Sequence, residues 1–380
     1  MPVRLAIDGT QAMFPHLRGA RRYVSKLIEY LINSGKEIEL KVFCNTFPKK
    51  IKSGILVDRD SVAIRFSGLP GRFLDKWWNR FSYPFVDLFV GSHDLFHAPT
   101  IHLVPPTRGR LVCTIHDLVP LVFPDQYSEE YLHFFTNKLK LIRQRADVVI
   151  ADSESTKNDL VNLMNFLPEK VFVIPLAPSL HLHPDYLAPS ADLTLEKHQI
   201  TKPYLLYVGG AEPHKNLPTL IEVFKTLKQK SHIPHKLVMV GENVAAAVYQ
   251  YRPALAAELD RTVVFTGYLS DEQLSDVYRK ADAFIFLSLY EGFGLALLDA
   301  MQFGVPVVAS RTSSIPEVVG NDAILVDPLN IEEIEQAISM LLEDNRLGEN
   351  LRTRGKIHSA GYSWESTVSK TIKIYEELIR

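Results

Sequence analysis

Within the 380-residue chain, the stretch from Tyr290 to Ser310 reads Y-E-G-F-G-L-A-L-L-D-A-M-Q-F-G-V-P-V-V-A-S. Its two acids, Glu291 and Asp299, have seven residues between them, and Gly292 and Gly294 lie after the first. A glycine loop ahead of a helix lets backbone N–H groups approach an anion, and the helix dipole favours negative charge there. Carboxylates beside an anion are electrostatically awkward unless they bind hydroxyls. Each accepts two hydroxyl hydrogen bonds, which suits a ribose or hexose diol. The context is a strand ending near Leu287, a loop, a helix from Leu295 to Phe303, Gly304 where a helix C′ residue belongs, and a strand over Val305–Ala309.

Three other places carry charge suited to the same chemistry. Lys215 follows Gly209-Gly210 and is placed as a point charge for phosphate. His116, in Thr114-Ile115-His116-Asp117, lies just beyond a predicted strand. Asp117 is read as orienting either a backbone group or the histidine. Arg18, Arg21 and Arg22 follow the first strand and open a predicted helix, where they could meet a phosphate on an acceptor. In R-F-L-D-K-W-W-N-R, Trp77 and Trp78 beside Lys76 and Arg80 make an amphipathic stretch suited to an anionic membrane surface. The competing reading packs one tryptophan in the core. Asp58-Arg59-Asp60 fits a short metal motif but sits in a polar turn and is read as loop. His93, His97 and His102 lack zinc-site spacing.

These residues need elements to hold them. Short apolar runs alternate with helical periodicity. Strands are predicted at Arg4–Ile7, Leu40–Cys44, Val62–Phe66, Leu95–His97, Leu111–Ile115, Val148–Ala151 and Val171–Ile174. Helices are predicted at Tyr23–Leu31, Ser128–Arg145 and Ser155–Met164. Residues 175–203 hold five prolines and are read as a linker with irregular structure. A second series follows from Tyr204–Val208 to Ile331–Asp344, and a helix over Trp364–Ile379 closes the chain. Alternation of this kind predicts an α/β chain of two doubly wound, mostly parallel domains facing a central cleft.

Residues 291–299 resemble the Glu-x7-Glu motif of family 4 retaining glycosyltransferases, which have the GT-B fold of two Rossmann-like domains. The resemblance extends over Ile7-Asp8-Gly9 with Gly19, Phe96-His97-Ala98-Pro99, the segment around His116, Ala151-Asp152-Ser153 and Val173-Ile174-Pro175-Leu176. It continues through Tyr207-Val208-Gly209-Gly210, His214-Lys215-Asn216-Leu217, Phe265-Thr266-Gly267-Tyr268 and Trp364. It implies an acceptor-binding domain over 1–180, a nucleotide-sugar donor domain over 181–363, and a last helix, 364–380, crossing back to the first domain. It also implies that Glu291 contacts the donor hexose, and that the backbone at Phe293, Gly294 and Leu295 reaches sugar and phosphates. Asp299, where the family has Glu, takes the ribose; Lys215 neutralises the diphosphate. Gly19 approaches the donor phosphates, and His116 reaches the donor sugar. Gly210 and His214 stand where many members carry arginine. Base recognition rests on backbone near Gly241 and Tyr268.

The expected activity is transfer of a hexosyl group, mannosyl among the candidates, with retention. The donor is a GDP- or UDP-linked sugar and the acceptor a glycan or lipid-linked molecule of polysaccharide or glycolipid biosynthesis. No cofactor and no metal is required. No residue stands out as a covalent nucleophile, so same-face attack assisted by the leaving phosphate is expected. The alternatives are a nucleotide-sugar 2-epimerase of the same architecture and a catalytically silent nucleotide-sugar-binding protein.

Composition agrees with a packed globular chain: 46% hydrophobic residues, 23% charged and two cysteines. The net charge of −2 gives no whole-chain basic excess for nucleic acid. Residues 1–190 hold 23 Lys and Arg against 19 Asp and Glu, so the front half is basic and the back half acidic. The start, Met-Pro-Val-Arg-Leu-Ala-Ile-Asp-Gly, lacks the pattern of a signal peptide, and no apolar window reaches the ~20 residues of a membrane span. A cytoplasmic protein, peripheral at the inner face of the cell membrane, is the expectation.

Overall fold

The computed structural model describes residues 3–13, 18–47, 62–180, 189–251 and 262–380. It divides into two compact units, Met1–Leu176 with Ser363–Arg380, and Ala177–Tyr362. Asp58-Arg59-Asp60 lies outside the described residues.

The first unit is built from β1 (Val3–Asp8), α1 (Arg18–Ile32), β2 (Ile38–Cys44), β3 (Ala63–Phe66), α2 (Gly71–Phe81), α3 (Asp87–Val90), β4 (Leu95–Ala98), β5 (Arg110–Ile115), α4 (Val119–Val122), α5 (Glu129–Arg145), β6 (Val148–Ala151), α6 (Glu154–Met164) and β7 (Val171–Val173). Its sheet is parallel, in the order β3-β2-β1-β4-β5-β6-β7. β4 and β6 are buried along their whole length; β6 reads as an unbroken apolar run, while β4 carries the buried His97. Side-chain caps begin α5 at Ser128 and α6 at Ser153, each accepting from the N–H three residues on.

The second unit holds α7 (Pro189–Lys197), β8 (Tyr204–Val208), α8 (Leu217–Lys230), β9 (Lys236–Val240), α9 (Val244–Tyr251), β10 (Val263–Gly267), α10 (Asp271–Lys280), β11 (Ala283–Phe286), α11 (Leu295–Gln302), β12 (Val307–Ser310), α12 (Ile315–Val319), β13 (Ile324–Val326), α13 (Ile331–Glu343) and α14 (Asn345–Ala360). Its parallel sheet runs β10-β9-β8-β11-β12-β13. A capping box at Ser270 and Gln273 starts α10.

The last helix, α15 (Trp364–Ile379), belongs to the first unit and packs on α1. Thr367 Oγ1 donates to the Pro175 carbonyl at 2.8 Å, and Tyr375 OH lies 2.6 Å from His97 Nδ1.

The expected linker over 175–203 needs correction. Ala177–Leu180 is buried in the second unit, and Pro189–Lys197 is helical despite its leading proline, which suits the first helical turn. α9 and α14 were not anticipated either. α14 buries little besides Leu351, Gly355 and Ser359, so its sequence carries a weak period; Gly355 lets it lie against Met301 of α11. β12 begins at Val307 rather than Val305. Among the described residues, no helix is long and apolar enough to cross a membrane.

Candidate active site

In a doubly wound sheet the strand order reverses at one point, and the loops leaving the two strands there diverge to leave a crevice at their carboxyl ends. In the second unit those strands are β8 and β11. The loop after β8 turns at Gly209-Gly210, held by Tyr207 OH donating to the Gly210 carbonyl at 2.7 Å. A Cβ at Gly241 would collide with the carbonyl oxygen of Gly209, so the ends of β8 and β9 approach to backbone distance only because Gly241 lacks a side chain. Gly210 carries no arginine; a Cβ there would meet the Glu212 carboxylate, which would have to swing aside to admit a side chain.

Beyond that turn, Asn216 donates from Nδ2 to the carbonyls of Leu287 and Pro328, at 3.1 and 2.9 Å. The His214 carbonyl accepts from Leu289 N–H at 2.7 Å. These bonds join the two loops and bring Lys215 Nζ to 2.7 Å from Glu291 Oε1. The glycine loop is then fixed from β12: Ser313 Oγ accepts from Glu291 N–H at 2.9 Å. Ser314 Oγ donates to the carbonyls of Glu291 and Phe293, at 2.9 and 3.2 Å. Gly294 caps α11 at φ +95°, a left-handed conformation that favours glycine, and Leu295 opens the helix. Phe293 is buried against Tyr362. Burial, and then Lys215, hold His214 below its ordinary value, so it is neutral at pH 7 and adds no charge. Tyr268 stands exposed after β10.

Asp299, the residue expected at the ribose, has protein partners in this structure. It is buried one turn inside α11, where Oδ1 accepts from the N–H groups of Ser179 and Leu180 at 2.7 and 3.1 Å. Oδ2 accepts from Ser179 Oγ at 2.6 Å. Asp299 thereby ties the first residues of the unit to the helix. Gln302 Nε2 supports the same turn through the Leu180 carbonyl.

In the first unit, β4, β5 and β6 are neighbours, and each strand end supplies one group. Register pairs Ile115 with Ala151, so His116 and Asp152 emerge side by side. His116 Nδ1 lies 2.7 Å from Asp152 Oδ2, and Nε2 lies 3.1 Å from the Pro99 carbonyl. Both partners are acceptors, so the imidazolium is the form that satisfies both nitrogens. Burial works against its charge and is the largest influence. The Asp152 carboxylate, with smaller help from Asp117 and Pro99, outweighs it and holds His116 above its ordinary value. Burial raises Asp152 as well, while His116 pulls it back. With an acceptor at each ring nitrogen, the geometry favours the proton on His116 rather than on Asp152. Asp117 accepts from Val119 N–H at 3.1 Å and orders a turn. Tyr23 meets the His116 ring edge-on, and its hydroxyl lies 3.0 Å from Thr114 Oγ1.

Sequence reasoning missed the roles of Asp152, Ser313 and Ser314. Asp152 had a signal in its place at the end of a predicted strand; the serines had none. Gly19 is exposed on the first turn of α1, and Arg21 and Arg22 are partly buried there. Trp77 and Trp78 have opposite fates: Trp78 is in the core and Trp77 outside.

Two doubly wound parallel domains in one chain, the second with a lysine and an acid at its switch point, define a glycosyltransferase of the GT-B fold. A solved Anabaena HepE in complex with UDP-glucose matches at TM-score 0.73 and 18% identity, over 98% of this chain and 99% of that one. Sucrose-phosphate synthase from Thermosynechococcus elongatus matches at 0.73 and 20%, over 99% of both chains. The family model "Glycosyltransferase Family 4" matches residues 17–177, and "Glycosyl transferases group 1" matches residues 192–358. The chain belongs to glycosyltransferase family 4. Escherichia coli O-antigen chain mannosyltransferase B is 29% identical over 288 residues, 75% of this chain and 74% of that protein. The MMP alpha-(1->4)-mannosyltransferase of Mycolicibacterium hassiacum is 28% identical over 254 residues, 64% of this chain and 57% of that one.

Proposed function

We propose that this glycosyltransferase moves a mannosyl group, with retention, from a nucleoside diphosphate sugar to a glycan or lipid-linked acceptor. The observation that carries the reading is the Lys215–Glu291 pair at the ends of β8 and β11, beside the Gly294-capped start of α11. Lys215 and the α11 amides supply the positive charge that a departing diphosphate needs. Glu291 accepts from hexose hydroxyls. The mannosyltransferase names among the relatives support the choice of sugar. In the transfer, the acceptor hydroxyl attacks the anomeric carbon on the face the diphosphate leaves. The C–O bond to phosphate breaks, and the hydroxyl proton passes to the leaving phosphate. The first unit is assigned the acceptor and the second the donor. No metal is needed, because protein groups carry the charge. The setting is the cytoplasm, at the inner face of the membrane when the acceptor is lipid-linked.

A thermal-shift screen of GDP-mannose, UDP-glucose and ADP-glucose tests the donor. The true donor at 100 Kd adds about 2.7 kcal/mol of stability. Lys215→Ala and Glu291→Ala should abolish that shift, and turnover should persist in EDTA with the α-anomer as product. Inverted product, or donor binding unchanged in both variants, overturns the reading.

A further inference from the structure

Helix α2 completes its part in the core with two residues. Leu74 and Trp78 are buried against Phe43, Phe89 and Phe96, and Trp78 Nε1 donates to the Pro84 carbonyl at 2.6 Å. Three further aromatics lie one turn apart on a different side and serve no core: Phe73 is 54% exposed, Trp77 42% and Phe81 59%. Their rings touch in a row, with centroids 5.7 Å apart for Phe73 and Trp77 and 4.9 Å for Trp77 and Phe81. Lone exposed apolar residues are ordinary; a contiguous aromatic ridge marks a contact surface.

The charges beside the ridge say what covers it. At 100° per residue, Lys76 and Arg80 fall on the arc next to Phe73, Trp77 and Phe81, and both are exposed. The Arg80 guanidinium lies 5.9 Å from the Phe81 ring. The single acid of α2, Asp75, is turned away and engaged by the Lys138 ammonium on α5. The outward face of α2 is therefore aromatic along one strip and cationic along the next, with no carboxylate. We propose that this face docks the protein on an anionic lipid bilayer, with Phe73, Trp77 and Phe81 at the boundary of headgroups and acyl chains and Lys76 and Arg80 on lipid phosphates. The proposal sharpens the membrane setting given above. It stands apart from the transfer reaction, since docking requires neither donor nor acceptor.

The test is co-sedimentation of the full chain with sucrose-loaded vesicles, without substrates. Wild type should bind vesicles of equal phosphatidylglycerol and phosphatidylcholine at least about tenfold more tightly than pure phosphatidylcholine, and lose that preference in 0.5 M salt. Lys76→Gln with Arg80→Gln should weaken binding to the anionic vesicles about 25-fold, at about fivefold per cation. Trp77→Ser with Phe81→Ser should weaken it at least about tenfold on either side of that salt range. Trp78 and Trp364 are buried, so a blue shift of emission on vesicle addition, absent in Trp77→Phe, reports Trp77 alone. All four residues are exposed, so melting temperatures should not move; if the serine pair misfolds, the glutamine pair and its salt profile decide. Unchanged vesicle binding in both pairs overturns the proposal. So does an aromatic-pair variant that keeps vesicle binding but dissolves a dimer, which would assign the ridge to a second copy of the chain.

Discussion

Replacing Asp152 by Asn keeps an oxygen for the His116 Nδ1–H group and removes only the charge. With the charge centres ~4 Å apart and an effective dielectric of ~20, the lost attraction is about 4 kcal/mol. That is a factor on the order of 10³ in proton affinity. The protein contains its own scale for what remains. His97, on the adjoining strand β4, has the hydroxyls of Tyr375 and Thr114 as its hydrogen-bond partners among the described residues, at 2.6 and 2.9 Å. Burial, and then repulsion from His116, push it down to about 3. Without Asp152, burial should prevail at His116 too and carry it below its ordinary value. The drop is less deep than for His97, because 24% of the His116 side chain is exposed. Long-range proton–nitrogen correlation spectra of histidine-labelled protein, titrated from pH 5 to 9 and assigned with His116→Gln, measure this directly. Wild-type His116 should titrate above an ordinary histidine. In Asp152→Asn it should be neutral at pH 7. Turnover should fall with the cation and partly recover towards pH 5. A midpoint in the variant at or above that of wild type would refute the reasoning.

Asp299→Asn should lower ligand-free stability by about 2–3 kcal/mol in urea melts, because a buried carboxylate loses charge-assisted bonds to Ser179 and Leu180. Donor Kd should change less than about threefold by calorimetry; lost donor binding with full stability would restore the ribose role. Burial pushes Asp8 up to about 6 against the hydrogen bonds from Thr10. The folded chain thus holds a proton that the unfolded chain releases near pH 3.9. This contribution, about 3 kcal/mol, is full below that pH and lost as pH rises through 6. Asp8→Asn should flatten that part of the stability–pH curve, and an unchanged slope would contradict the assignment. Gly294→Ala should cost about 1–2 kcal/mol, since φ is +95° and the new Cβ would lie 2.9 Å from Leu297 Cδ1. Denaturant melts check it, with Ala296→Gly as a control inside the helix.

Much of the fold was legible because it is written locally. Buried parallel strands are short apolar runs, and β6, β8 and α15 fall at their anticipated residues. Glu291, the glycines after it and the helix they open lie within a few residues of one another, so their spacing alone carries their meaning. What the sequence could not declare is which distant residues become neighbours. Lys215 and Glu291 meet across 76 positions because β8 and β11 adjoin where strand order reverses. His116 obtains Asp152 from the next strand, and Asp299 holds Ser179 from 120 positions away. Trp77 and Trp78 are equal in sequence and 100° apart on a helix, so only packing against Phe43 and Phe89 decides which is core and which is surface. Local chemistry thus set the elements and the glycine loop. The charge states and partners of the site residues came from the sheets, because burial and counter-charge depend on strands joined by hydrogen bonds rather than by sequence.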